Sequence, residues 1–99
     1  MEVKILNGAP TIIKVSGRLD TVNAEQFGKE IAPVMENMKN VVLDCYGLDY
    51  IASSGLRQLL NLQKAANAQK GKLVFRGVSE EIKKIFSLTG FLTLFTLED

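Results

Sequence analysis

Leu48-Asp49-Tyr50-Ile51-Ala52-Ser53-Ser54-Gly55-Leu56-Arg57 joins a short apolar run to the longest unbroken helical pattern in the chain. Just upstream, Val41-Val42-Leu43-Asp44-Cys45 is β-branched at its start and bounded by Asn40 and Gly47, the pattern of a short buried strand. Downstream, Leu56, Leu59, Leu60 and Leu62 supply the apolar side of a helix. Gln58, Asn61, Gln63, Lys64, Asn67 and Lys70 supply its polar side, and Gly71 is the expected C-cap. A strand that feeds a helix this directly places the serines at the carboxyl end of one and the amino end of the other.

Two readings of Ser53 and Ser54 stay open on residues alone. A serine ahead of an apolar-periodic segment normally caps the helix by accepting a hydrogen bond from one of its first amides. The same helix end, with free N–H groups and the positive end of the dipole, also suits an anion. A phosphorylated hydroxyl there would carry roughly 1.5 to 2 negative charges at neutral pH. Arg57 lies in the first turn, where a cation is mildly unfavourable. It is either solvated or faces an anionic partner or the phosphate itself.

Working outward, residues 2–6 alternate, Asn7-Gly8-Ala9-Pro10 makes a turn, and residues 11–16 resume a strand pattern closed by Gly17 and Asp20, which together predict an antiparallel hairpin. The period then changes. Ala24, Phe27, Ile31, Val34 or Met35, and Met38 recur at helical steps, with Met35 and Met38 as core filling. Asn23 with Gln26 resembles a capping box, and Pro33 predicts a kink or break near Ile31-Ala32. Asp20 is expected to cap this helix or shape the turn before it. Lys72-Leu73-Val74-Phe75-Arg76 reads as a strand, and Gly77 as a turn. Ser79 with Glu80 and Glu81 opens a helix burying Ile82, Ile85, Phe86 and Leu88, and Thr89-Gly90 stops it. Residues 91–97 read as a last strand. The order β-β-α-β-α-β-α-β implies an α/β fold with a mixed, mostly parallel sheet of about five strands. Loops near Asp20, Ser53 and Gly77 are expected to cluster at its carboxyl ends.

Ninety-nine residues, 46% of them hydrophobic, suit one compact domain spanning 1–99. Twelve basic and eleven acidic residues give a net charge of +1, without the basic surplus of a nucleic-acid binder. No apolar run approaches the roughly 18 residues of a membrane span and no signal-peptide core opens the chain, so a cytoplasmic location without membrane insertion is expected. The lone Cys45 forms no internal disulfide and reads as a buried apolar residue. Histidine is absent, which removes any Ser-His or Cys-His pair. No Walker loop, dinucleotide fingerprint or metal-ligand spacing occurs, so no cofactor, metal or catalytic residue is assigned and the chain reads as a non-enzyme. A hydrolase built on Ser53 would lack its base.

The segment 41–56, V-V-L-D followed by G-L-D-Y-I-A-S-S-G-L, resembles the core of the STAS domain family, the anti-sigma factor antagonists of bacteria. Gly17-Arg18-Leu19-Asp20 leading into Asn23-Ala24-Glu25 looks like that family's G-x-L-D strand end and first helix. Gly77-Val78-Ser79 through Ile82, Ile85, Phe86 and Thr89-Gly90-Phe91 looks like its last helix and turn. The resemblance spans nearly the whole chain. It implies a protein that binds a kinase-type anti-sigma factor to release a sigma factor, is inactivated when that kinase phosphorylates one serine from ATP, and is restored by a phosphatase. The acceptor falls on Ser53. The partner surface implied is Asp20 and Thr21, in the loop after the second strand, with Ser53, Ser54, Gly55 and Arg57. Ala52 stands where relatives commonly carry an acidic residue. The pattern also lacks the closing helix of many relatives, and an apolar face left open would favour a homodimer. The alternative within the fold is a scaffold without the phosphoswitch, such as an accessory subunit of a lipid-transport or signalling complex.

Overall fold

The computed structural model describes residues 1–98. Its elements follow the expected order: β1 (Glu2–Leu6), β2 (Thr11–Leu19), α1 (Ala24–Met35), β3 (Asn40–Ile51), α2 (Ser53–Ala68), β4 (Lys72–Arg76), α3 (Glu80–Thr89), a 3-10 turn (Phe91–Thr93) and β5 (Leu97–Glu98). The five strands lie in chain order across one sheet. β1 and β2 pair antiparallel, and every later neighbour pairs parallel. The alternation of the opening hairpin and of the strand–helix units is therefore read correctly from the sequence.

A strictly sequential strand order has a consequence for the helices. Crossovers between parallel strands are right-handed, and each of the three here steps in the same direction, so all three helices fall on one face. The core shows this. Ile13, Val15, Leu43, Cys45, Leu73 and Phe75 form one buried cluster with Phe27 and Ile31 of α1, Leu59 and Leu62 of α2, and Ile82 and Phe86 of α3. Val42 and Val74, paired in register, lie outside that cluster, on the other face of the sheet. The same face carries Lys4, Lys14, Asp44, Arg76 and Glu98 in consecutive register.

Several expectations are corrected. β3 does not stop at Cys45 but runs twelve residues to Ile51, because register shifts against β2 absorb the region around Gly47 without ending the pairing. α1 does not break near Ile31-Ala32. Pro33 lies in its last turn, so the hydrogen bond it removes is followed by only two more helical residues, and the helix ends at Met35. Leu88 points outward, 87% exposed, while Ile85 is half-buried. Residues 91–96 are not strand. They turn so that Phe95 stacks on Phe75 at 4.4 Å and meets Phe86 edge-on at 5.2 Å, leaving only Leu97–Glu98 to pair with β4. Aromatic packing thus outweighs the strand propensity of Phe91-Leu92-Thr93-Leu94. The opening of α3 is as expected: Ser79 Oγ accepts from the Ile82 N–H, and Gly90 at φ +82° closes the helix.

Gly71 is not the left-handed C-cap of α2. That conformation is taken by Lys70 at φ +57°, whose N–H donates to Asn67 O while Gly71 N–H donates to Ala66 O, a Schellman closure with lysine in the glycine place. Gly71 is required for another reason: a Cβ there would fall on the Met38 carbonyl. Gln69 locks this corner, its amide donating to Met35 O at 2.7 Å and accepting from Met38 N–H at 2.8 Å. Gly71→Ala is expected to cost more than about 2 kcal/mol, since backbone must move. Lys70→Gly is expected to be neutral or stabilising by up to about 1 kcal/mol. Urea unfolding at unchanged m-value checks both.

Candidate partner-binding site

The site is built where β2 and β3 end together. Leu19 and Ile51 are register partners, and the Ala52 N–H donates to Leu19 O at 2.9 Å, so the Asp20 loop and the start of α2 are held side by side. Asp20 folds that loop. Its Oδ1 accepts from the N–H groups of Val22 and Asn23 at 3.0 and 3.1 Å, a local turn of the kind aspartate favours. Asn23 closes it from the other side: Oδ1 accepts from Asp20 N–H at 2.9 Å, and Nδ2 donates to Arg18 O at 2.7 Å. The capping box expected of Asn23 and Gln26 is absent because the Asn23 side chain faces back into the loop, and Gln26 donates instead to Glu30. Asp20 thus shapes the turn, which leaves Thr21 and Val22 outside; Val22 is 91% exposed.

The serines do not cap α2. Ala52, extended at φ −91° and ψ 168°, occupies the N-cap position because its amide is tied to β2, and no side chain caps the helix. Ser53 and Ser54 are therefore the first two helical residues. The first helical bond runs from Leu56 N–H to Ala52 O, so the amides of residues 53–55 precede it. No acidic residue lies in this turn to offset the dipole. The two hydroxyls differ sharply. Ser53 is exposed, whereas the Ser54 Oγ is buried without a hydrogen-bond partner. Gly55 is buried, and a Cβ on it would stand 2.7 Å from Leu19 Cγ and 3.0 Å from Ile51 Cγ1. Its absence of side chain lets the helix sit down on the strand ends.

Of the expected site residues, Asp20, Thr21, Ser53, Ser54 and Gly55 are brought together, and Arg57 follows one turn along α2, exposed. Gly77 is not brought there. β4 ends at Arg76, opposite Asp44, while β3 continues seven residues further, roughly 20 Å of strand. Gly77 instead lies under the Tyr46 ring, where a Cβ would come 2.5 Å from Cγ. Arg18, stacked over the Tyr50 ring at 4.2 Å, and Asn23, which ties the loop to the Arg18 carbonyl, are parts of the frame in roles that sequence patterns did not assign them. The Asp20-to-Asn23 spacing was the available signal. Cys45 offers no reactive thiolate, because burial, helped by the Asp44 charge, pushes its thiol up to about 12.

The exposed hydroxyl thus stands at a helix start, beside a strand-end loop, on a small α/β domain built around one mixed sheet. The chain belongs to the STAS domain family, whose model matches residues 1–99. It is 37% identical over 82 residues to a Bordetella bronchiseptica protein provisionally named anti-sigma factor antagonist BtrV, covering 82% of this chain and 71% of that one. Its structure matches that of a provisionally identified anti-sigma factor antagonist from Thermotoga maritima with a TM-score of 0.86 at 20% identity, over 99% of this chain and 85% of the other. It also matches the Bacillus cell fate determinant SpoIIAA in its phosphorylated form with a TM-score of 0.73 at 18% identity, over 99% and 90% of the two chains. At these identities the two structural matches show the fold alone. No helix among the described residues is long and apolar enough to cross a membrane.

Gly55→Ala tests the seating of α2. The overlap with Leu19 and Ile51 is expected to outweigh the helix-propensity gain of about 1 kcal/mol, for a net loss of about 1–2 kcal/mol in urea unfolding. An alanine as stable as the wild type would contradict the close approach.

Proposed function

We propose that this protein is an anti-sigma factor antagonist that binds a serine-kinase anti-sigma factor, frees a sigma factor, and is switched off by phosphorylation of Ser53. The observation that carries the reading is the exposure of Ser53 at the uncapped start of α2, beside the Asp20 loop. The kinship with proteins named as anti-sigma factor antagonists supports the partner class. The partner supplies nucleotide and catalysis, and this chain supplies the hydroxyl. A separate phosphatase resets it.

The chemistry is local. The Ser53 hydroxyl is neutral and exposed at the start of α2, and the exposed Thr21 and Val22 lie in the loop whose strand is tied to Ala52. A phosphate would bring roughly 1.5 to 2 negative charges and three acceptor oxygens. The helix dipole and the amides ahead of the first helical bond would hold it in place. Because α2 is seated through Gly55 on rigid strand ends, the added charge has to be met by the partner, not relieved by movement of the helix. Ser54, with its oxygen buried, is the lesser acceptor.

Binding of the purified cognate anti-sigma factor, measured by calorimetry, checks this. Ser53→Ala is expected to bind within about threefold of the wild type, and Ser53→Asp about tenfold or more weakly. Equal affinities for the two variants would remove the electrostatic switch.

A further inference from the structure

Ser53 is also the end of a groove. An open depression of about 320 Å³ runs along the outer side of α2, lined by Ser53, Arg57, Leu60, Asn61 and Lys64 and closed on its far side by Phe91 of the 3-10 turn. Ser53, Arg57, Asn61 and Lys64 are spaced at helical turns, so they form one stripe. Leu60 and Phe91 are half-buried and give the groove an apolar wall. The neighbouring segment exposes Leu88, Leu92 and Leu94.

The charge of this groove is one-sided. Among the described residues, two cations line it and no acid does. Neither Arg57 nor Lys64 is in an ion pair among the described residues, so both cations are open to an incoming anion. Arg57 moreover stands in the first turn of α2, where the dipole opposes a cation and no acidic residue of that turn compensates. The chain as a whole carries a net charge of only +1, so this is a local arrangement and not a basic protein's general surface.

We infer that this groove is the docking place of an acidic segment of the anti-sigma partner, its carboxylates meeting Arg57 and Lys64 while apolar side chains rest against Leu60 and Phe91. The inference rests on the function proposed above and adds the partner's chemistry. It also gives the phosphate at Ser53 a second effect: one turn from Arg57, it competes with the partner's carboxylates for that guanidinium.

Calorimetry with the purified cognate anti-sigma factor tests it through four charge reversals on the full chain. Arg57→Glu and Lys64→Glu, both on exposed side chains, are expected to weaken binding about tenfold or more each and to flatten its salt dependence. Lys4→Glu and Lys14→Glu, on the opposite face of the sheet, change net charge equally and are expected to bind as the wild type does. Circular dichroism confirms that each variant is folded. Groove variants that bind normally, or a loss of equal size in the opposite-face variants, would overturn the docking site while leaving the antagonist reading intact. A wild-type chain that does not bind the anti-sigma factor at all would overturn both.

Discussion

One hydrogen bond, from the Ala52 N–H to Leu19 O at 2.9 Å, decides how this molecule presents its serine. It joins the last residue of β2 to the N-cap of α2, at the point where the two longest strands of the sheet end together. Because Ala52 is committed to β2, the helix has to begin at Ser53. Because Gly55 has no side chain, the first turn can rest on Leu19 and Ile51. The Asp20 loop is fixed from the same place, through Asn23 and the carbonyl of Arg18. The exposed hydroxyl of Ser53 and the buried oxygen of Ser54 are consequences of that geometry.

Much of this was legible in the sequence because the signals are local. The hairpin, the three amphipathic helices, the Ser79 cap and the Gly90 stop each depend on a few adjacent residues, and each forms. What sequence patterns missed depends on tertiary contacts. The length of β3 follows from its pairing with β2 through irregular register, which no periodicity announces. Residues 91–97 have strand propensity, yet Phe95 gains more by stacking on Phe75 than by extending an edge strand. Gly71 reads as a helix C-cap and Gly77 as a turn glycine. Gly71, and Gly77 in addition to its positive φ, are there because a carbonyl and an aromatic ring pass close by.

The candidate site shows the same division. Asp20, Thr21, Ser53, Ser54 and Gly55 could be named from the strand-to-helix pattern and from family resemblance, and they converge. The difference between the two serines could not be named, since it turns on which residue occupies the N-cap. An N-cap is typically extended, and Ala52, hydrogen-bonded to β2, is the extended residue here. The serines that local chemistry assigns to capping are thereby released from it. The groove beyond Ser53 was hidden for a similar reason: Phe91 reaches it from the far end of the chain.

The central claim is that Ser53 is the single modification point of this protein. Intact-mass analysis and site mapping after incubation with the cognate anti-sigma kinase and ATP test it most directly, with Ser53→Ala and Ser54→Ala alongside. The account predicts one phosphate, retained in Ser54→Ala and lost in Ser53→Ala. A phosphate that survives in Ser53→Ala, or none on a wild-type chain that binds the kinase, would contradict it.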